Sequence, residues 1–289
     1  MKVLVTGASG LLGSRMLAVF PRHWEVRGTY CTRPGQGLVQ CNLGDRGSLR
    51  RLIAGDGYDW VVHCAGTRSP DECQRDARKA VEVNALGTEN VALAAGEAGA
   101  ALAYASTDYV FAGDDPPYRE TDQARPLNVY GHSKLAGERH ALSVPGSLVV
   151  RMPALYSLDL SAPGNVLAAL RASLARGEHV AADGDGVRYY TLGEEVAGAF
   201  AFLMEHGHRG TVHVSADQSS TKLEFLRTAA EAMGLDPGLV RLAQPDPAKA
   251  PRPRDAHLDP GLYRSLGGPA LTGYRDALRR LGGAVGAPH

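Results

Sequence analysis

The sequence has 289 residues, 44% of them hydrophobic and 21% charged, with 31 basic side chains balanced by 31 acidic ones. That is the composition of an ordinary globular protein, and its balanced charge offers no polyanion-binding surface. No apolar run reaches the roughly 18–20 residues of a membrane span, so nucleic-acid and membrane partners are set aside.

The opening MKVLVTGASG turns into a glycine loop too soon for a signal peptide's apolar stretch, and a cytoplasmic setting is expected. Cys31, Cys41, Cys64 and Cys73 show no paired spacing and read as reduced thiols. In chain order, Val3–Thr6 reads as a strand, Leu11–Phe20 as a helix and Glu25–Tyr30 as a second strand. A weak strand at Leu38–Cys41 precedes a helix near Gly47–Ala54 and a buried-type strand at Asp59–Cys64. A long helix Asp76–Ala98 leads into strand Ala101–Ala105; after a polar, Pro-rich loop come helix Tyr130–Leu142 and strand Leu148–Met152. This alternation predicts an α/β protein with a doubly wound parallel sheet. Beyond it, helices at Val166–Arg176, Glu194–His206 and Lys222–Met233 and a strand at Thr211–Val214 predict a smaller α+β C-terminal lobe. The expected division assigns 1–155 and about 187–215 to the nucleotide-binding domain, and 156–186 and 216–289 to the substrate lobe.

Three clusters carry chemistry. Gly7-Ala8-Ser9-Gly10-Leu11-Leu12-Gly13 lies between a strand and a helix. Gly7 suits a tight turn, Gly10 lets amides approach a pyrophosphate, and Gly13 lets the helix pack closely. Ser9, Leu11 and Leu12 complete this cofactor-binding loop at a helix N-terminus. The end of the second strand, Tyr30-Cys31-Thr32-Arg33-Pro34, lacks the acid that receives the ribose hydroxyls of NAD. Arg33 is either a 2′-phosphate ligand or a surface arginine, and the pattern favours NADP(H) over NAD(H). Third, Tyr130 and Lys134 share a helix face at i and i+4, which puts an ammonium within reach of a phenol. Such a phenol can give a proton to a carbonyl oxygen while hydride arrives, with Thr107 adding a hydrogen bond.

The glycine loop with Tyr130/Lys134, the run Ser106–Gly113 and the run Leu127–Glu138 resemble the extended short-chain dehydrogenase/reductases, and within them the dTDP-4-dehydrorhamnose reductase family. Arg252–Asp259 is similar to that family's C-terminal signature. The resemblance implies a catalytic group of Thr107, Tyr130, Lys134 and Asn84, the last in a proton relay. Cofactor contacts are implied at Asn42 and Leu43, at Cys64, Ala65 and Gly66 after a strand, and at the Tyr130 and Lys134 side chains. A nucleotide-linked 4-keto-6-deoxy sugar is the implied substrate, with Thr107 and Asp108 facing it, and their positions let Arg68 and Arg188 face the cleft and grip a substrate diphosphate. Arg68 and Arg188 are equally readable as surface ion-pair residues. Dehydratases of this superfamily carry Thr-Asp-Glu, whereas Tyr109 follows Thr107-Asp108 here, so elimination chemistry is not expected.

Val61–Ala65, Asp115–Glu120 and Arg252–Asp259 also resemble the regulatory β subunit of methionine adenosyltransferase, which implies a non-catalytic NADP-binding role as an alternative. A nucleotide-sugar epimerase with retained NAD is the third reading. No metal is expected, since His206 and His208 lack partners at ligand spacing. A homodimer through helices 76–98 and 130–142 is a family-level expectation.

Overall fold

The computed structural model describes residues 1–285, with side chains to Leu281. Strand β1 (Lys2–Thr6) enters the glycine turn and helix α1 (Leu11–Val19), followed by β2 (Glu25–Tyr30), β3 (Val39–Gln40), α2 (Arg46–Asp56) and β4 (Trp60–His63). Next come α3 (Pro70–Arg75), α4 (Ala77–Val81), a π turn at Glu82–Leu86 and α5 (Gly87–Ala98). Strand β5 (Ala101–Ala105) precedes α6 (Val129–Leu142), β6 (Leu148–Arg151), β7 (Leu155–Tyr156), α7 (Val166–Ala175), β8 (Val180–Ala182) and β9 (Thr191–Leu192). The chain closes with α8 (Gly193–Glu205), β10 (Gly210–His213), α9 (Lys222–Ala232), β11 (Val240–Leu242), α10 (Gly261–Ser265) and α11 (Tyr274–Val285).

Seven parallel strands form the main sheet in the order β10-β6-β5-β4-β1-β2-β3. Both faces are covered, and strict alternation sorts the side chains. Val3 and Val5 of β1, Val62 of β4 and Val150 of β6 pack on the α1/α8 side with Met16 and Phe200. Leu4, Val61, Leu102 and Val149 point the other way, against Leu49, Ile53 and Val91. The strand order reverses between β1 and β4, and the crevice beyond their carboxyl ends is where such sheets bind nucleotides.

A second apolar cluster joins Tyr156, Leu167 and Leu170 to Phe225, Leu226, Tyr274 and Leu278. Two short parallel pairs, β8–β11 and β7–β9, accompany it. Within 187–215, α8 packs on α1 and β10 extends the main sheet beside β6, whereas Tyr190 and Leu192 belong to the second cluster.

Two local features depart from the expected elements. The expected continuous helix over 76–98 is interrupted by the π turn, which inserts one residue per turn around Asn84. Ahead of it, α3 forms where the sequence pattern predicts no helix, although Ser69 accepts from Glu72 N at 3.3 Å and Pro70 opens the helix, an ordinary start signal.

Two buried histidines make stability acid-sensitive. His63 bridges Thr6 Oγ1 (2.6 Å) and Thr88 Oγ1 (3.1 Å), and His213 lies between Tyr118 O (3.1 Å) and Arg151 Nη1 (3.4 Å). Burial pushes both rings down to about 3, so the folded state stays neutral where an unfolded histidine takes up a proton. The unfolded chain then binds more protons, and stability falls as pH drops below about 6.5. The two rings together remove up to about 2.7 kcal/mol per pH unit between about pH 6 and 4.5. Urea unfolding across that range is expected to show a slope that roughly halves in His213→Asn. An unchanged slope would assign the acid sensitivity to carboxylates.

Candidate active site

The glycine turn is built by close approach. Gly7 has φ +71°, and a Cβ there would sit 2.6 Å from the Ala65 backbone. At Gly13 a Cβ would lie 2.5 Å from Gly7 O, so α1 can start directly on the turn only with glycine. Gly10 caps α1 without a side-chain acceptor, leaving the first-turn amides to an anion. Ser9 and Leu12 are half-buried beside them and Leu11 is buried. Across the crevice, Cys64 and Ala65 are half-buried and Gly66 is exposed. This pairing of an uncapped helix start with a bare backbone edge fits a dinucleotide's pyrophosphate.

The outer residues are looser. Arg33 is exposed and makes no hydrogen bond or ion pair among the described residues. Asn42 is exposed, with its side-chain oxygen accepting from Gly44 N at 3.0 Å. Leu43 is half-buried: its carbonyl takes Asn90 Nδ2 at 2.8 Å, and a Cβ on Gly87 would meet its side chain at 3.1 Å.

Thr107, Tyr130 and Lys134 converge where β5 ends against α6. Helix α6 starts at the Asn128 cap, whose Oδ1 accepts from Gly131 N at 2.8 Å. It sits so close to the loop after β5 that a Cβ on Gly131 would approach Tyr109 O to 2.2 Å. The Tyr130 ring meets Tyr109 edge-on at 5.8 Å. Burial holds the Tyr130 phenol well above its ordinary value, while the neighbouring Thr107 hydroxyl pulls the other way. Lys134 is buried, and its Nζ donates to Ala105 O at 2.7 Å. The ammonium is therefore directed to a carbonyl and makes no hydrogen bond to Tyr130, a correction to the simplest reading of their i, i+4 spacing.

Asn84 is fully engaged. Its Oδ1 accepts from Thr67 N (2.8 Å), and its Nδ2 donates to Thr67 O and Ser133 Oγ (both 2.9 Å). Ser133 Oγ in turn donates to Tyr130 O at 2.8 Å, so Asn84 reaches the first turn of α6 through Ser133.

The residues expected to face a substrate divide. Thr107 Oγ1 donates to Asp108 Oδ1 at 3.0 Å and accepts from Tyr109 N at 3.2 Å, which commits its proton to the carboxylate. Asp108 is buried rather than lining an open cleft, and burial pushes its carboxyl up to about 6, partly offset by Arg188. Arg188 is also buried, donating to Val187 O (2.7 Å) and Pro253 O (3.0 Å), with its guanidinium 5.8 Å from the Tyr109 ring centre. Arg68 is exposed and reaches Gly164 O at 3.1 Å, spanning from the end of β4 to the loop before α7.

Several contributors carry no role in the sequence reading. Glu138 and Arg151 form a buried ion pair behind the site. The segment 250–259 frames it: Arg252 pairs with Asp71 at 2.7 Å, and Pro251 O accepts from Asn128 Nδ2 at 2.7 Å. The Arg-Pro-Arg run points to this segment, but nothing in sequence ties it to the cap of α6. Among the described residues no helix is long and apolar enough to cross a membrane, and no cluster of His, Cys, Asp or Glu is arranged to hold a metal.

The doubly wound sheet thus carries a glycine turn at its switch point and a Tyr-x-x-x-Lys helix beside it. The chain belongs to the RmlD substrate-binding domain family, which matches residues 1–284. It is 35% identical to methionine adenosyltransferase 2 subunit beta of Danio rerio, covering 96% of this chain and 89% of that one. It is 32% identical to dTDP-4-dehydrorhamnose reductase of Mycolicibacterium smegmatis, over 98% and 86%. The Thermus thermophilus UDP-glucose 4-epimerase complex with NAD superposes with a TM-score of 0.83 at 27% identity, covering all of both chains. The Bacillus anthracis dTDP-4-dehydrorhamnose reductase complex with NADP shares the fold, at TM-score 0.85, 24% identity and 97% and 98% coverage. Reductases and an epimerase share this architecture, which gives the chain an oxidoreductase family and a nucleotide-sugar context; the NADP and NAD are those of the two solved neighbours.

Proposed function

We propose that this protein is an NADPH-dependent ketoreductase acting on a nucleotide-linked 4-keto-6-deoxy sugar, with Tyr130 as the proton donor. The observation that carries the reading is the convergence of Thr107, Tyr130 and buried Lys134 beside a glycine turn open to a dinucleotide. Gly7, Ser9, Gly10, Leu11, Leu12 and Gly13 would hold the pyrophosphate, with Asn42, Leu43 and Cys64–Gly66 along the adenosine and central part. Arg33 would pair with the 2′-phosphate, its fork matching phosphate oxygens.

Bound NADPH supplies hydride to the ketone carbon. The chain's own residues do the rest. Tyr130 keeps its proton at neutral pH and delivers it to the oxygen that becomes the alcohol. Lys134, fixed on Ala105 O, keeps a positive charge at the site where negative charge develops. Asn84 steadies Tyr130 through Ser133. Thr107 joins the substrate oxygen by turning its proton away from Asp108. Arg68 and Arg188 would meet the anionic part of the sugar nucleotide, Arg68 from the surface beside Gly164 and Arg188 from its buried position against Pro253 O.

The test is NADPH oxidation with a panel of nucleotide-linked 4-keto-6-deoxyhexoses. Turnover with at least one sugar is expected, with NADPH preferred to NADH. Arg33→Ser should reduce that preference about tenfold or more, the worth of a charge-assisted phosphate contact. An unchanged preference would remove Arg33 from the cofactor site.

A second reading rests on the β-subunit likeness, which is as extensive as the reductase one. In it the chain binds NADP and modulates a partner enzyme, with or without turnover of its own. Cofactor binding with no turnover on any sugar, and altered kinetics of a methionine adenosyltransferase on mixing, would favour it.

A further inference from the structure

Lys134 has an unusual setting for a buried cation, because among the described residues no carboxylate hydrogen-bonds it. Its Nζ donates to Ala105 O and lies 4.0 Å from the centre of the Tyr104 ring. Tyr104 is fully buried, and its other neighbour is the His63 ring, stacked at 5.6 Å with 28° between the planes. His63 is fixed from both ends by Thr6 and Thr88. Since Thr88 Oγ1 gives its proton to Asn84 O (2.7 Å), it must accept from His63 Nε2, which leaves Nδ1 to accept from Thr6. The imidazole is thus a neutral plate with its tautomer set. On the far side of the Tyr104 ring edge, Gly137 leaves the room: a Cβ there would stand 2.3 Å from the Tyr104 hydroxyl.

We propose that Tyr104, backed by His63, is a positioning residue for Lys134: its aromatic face holds the ammonium charged and in place at the end of β5, where a carboxylate would do so in most buried sites. This deepens the ketoreductase reading and uses its assignment of Lys134. The groups facing Lys134 leave the ring and the Ala105 carbonyl as its main support. Glu138, one turn along α6, favours the ammonium through its charge, but its hydrogen bonds go to Arg151 and Ser106 and not to Lys134. Cys64 and Cys73 are kept as neutral thiols by burial, His63 is neutral, and Tyr130 is protonated. Burial pushes Lys134 down to about 8, so small losses of cation stabilisation are felt near neutral pH. A cation over a desolvated aromatic face is worth enough to matter on that scale.

The experiment exchanges Tyr104 for phenylalanine and then for phenylalanines carrying one, two and three ring fluorines, which keep the shape and progressively remove negative potential from the face. Lys134 is titrated directly by NMR of carbon-labelled lysine side chains; only five lysines are present, so its signal is readily assigned. NADPH binding is followed against pH in the same proteins. The expected result is a stepwise fall of the Lys134 midpoint, about one pH unit by the trifluorinated ring, with the alkaline loss of NADPH binding moving in parallel. A midpoint that ignores fluorination overturns the proposal. The titration needs neither cofactor nor substrate. A protein that fails to turn over ketosugars but shows the fluorine trend therefore sinks the ketoreductase reading and leaves the Tyr104 platform standing.

Discussion

Tyr130→Phe is expected to lower ketosugar reduction about a thousandfold while NADPH binding stays within about threefold. The substitution removes one oxygen and keeps the ring that meets Tyr109 edge-on at 5.8 Å, so packing is preserved. The size follows from the proton. Burial, with Asp108, Tyr109 and Cys73 nearby, holds the phenol well above its ordinary value, so at neutral pH it carries the proton that reduction consumes. Thr107 opposes this shift, and Lys134 supplies positive charge along the same helix. Without the phenol hydroxyl, the new alkoxide loses its proton donor and keeps only the Thr107 hydrogen bond. The measurement is single-turnover NADPH oxidation beside a fluorescence titration of the cofactor. Wild-type rates in the variant would move the proton to Asp108, whose carboxyl, pushed up to about 6, is the other acid in place.

The sheet and the glycine turn were legible because both rest on local rules. Alternating Val3, Leu4 and Val5 face opposite sides of a sheet buried on both, and only glycine tolerates the 2.5–2.6 Å approaches at positions 7 and 13. The candidate pair Tyr130 and Lys134 was legible as a spacing on one helix. Where the Lys134 ammonium goes was not, because Ala105 O and the Tyr104 face come from another strand. The π turn around Asn84 escaped for a similar reason: its residues have ordinary helical composition, and the insertion is fixed by Asn84 bonding to Thr67 and Ser133. Asp108 reads as a cleft residue from its motif, yet burial and the Thr107 hydroxyl decide its state.

The second large effect lies behind the site. Glu138→Leu is expected to destabilise the protein by about 3–5 kcal/mol, because it strands a buried arginine. Arg151 meets Glu138 with two parallel bonds, Nε to Oε1 at 2.9 Å and Nη2 to Oε2 at 2.8 Å, and both side chains are under 10% exposed. Arg151 otherwise sees the Phe111 ring at 5.1 Å and the neutral His213, neither of which balances its charge. Ser106, the residue before Thr107, also donates to Glu138, so the carboxylate ties the end of β5 to β6 and α6. Two consequences separate these roles. Removing both charges, as Glu138→Leu with Arg151→Met, should recover most of the lost stability, since the penalty is the unpaired ion and not the missing pair. Activity should not recover with it, because Ser106 then loses its acceptor and the backbone that carries Thr107 loses its anchor. Urea unfolding and turnover of the single and double variants measure the two together. A double variant as unstable as the single one would mean that the pair contributes packing rather than charge balance, and full activity in it would free Thr107 from any dependence on Glu138.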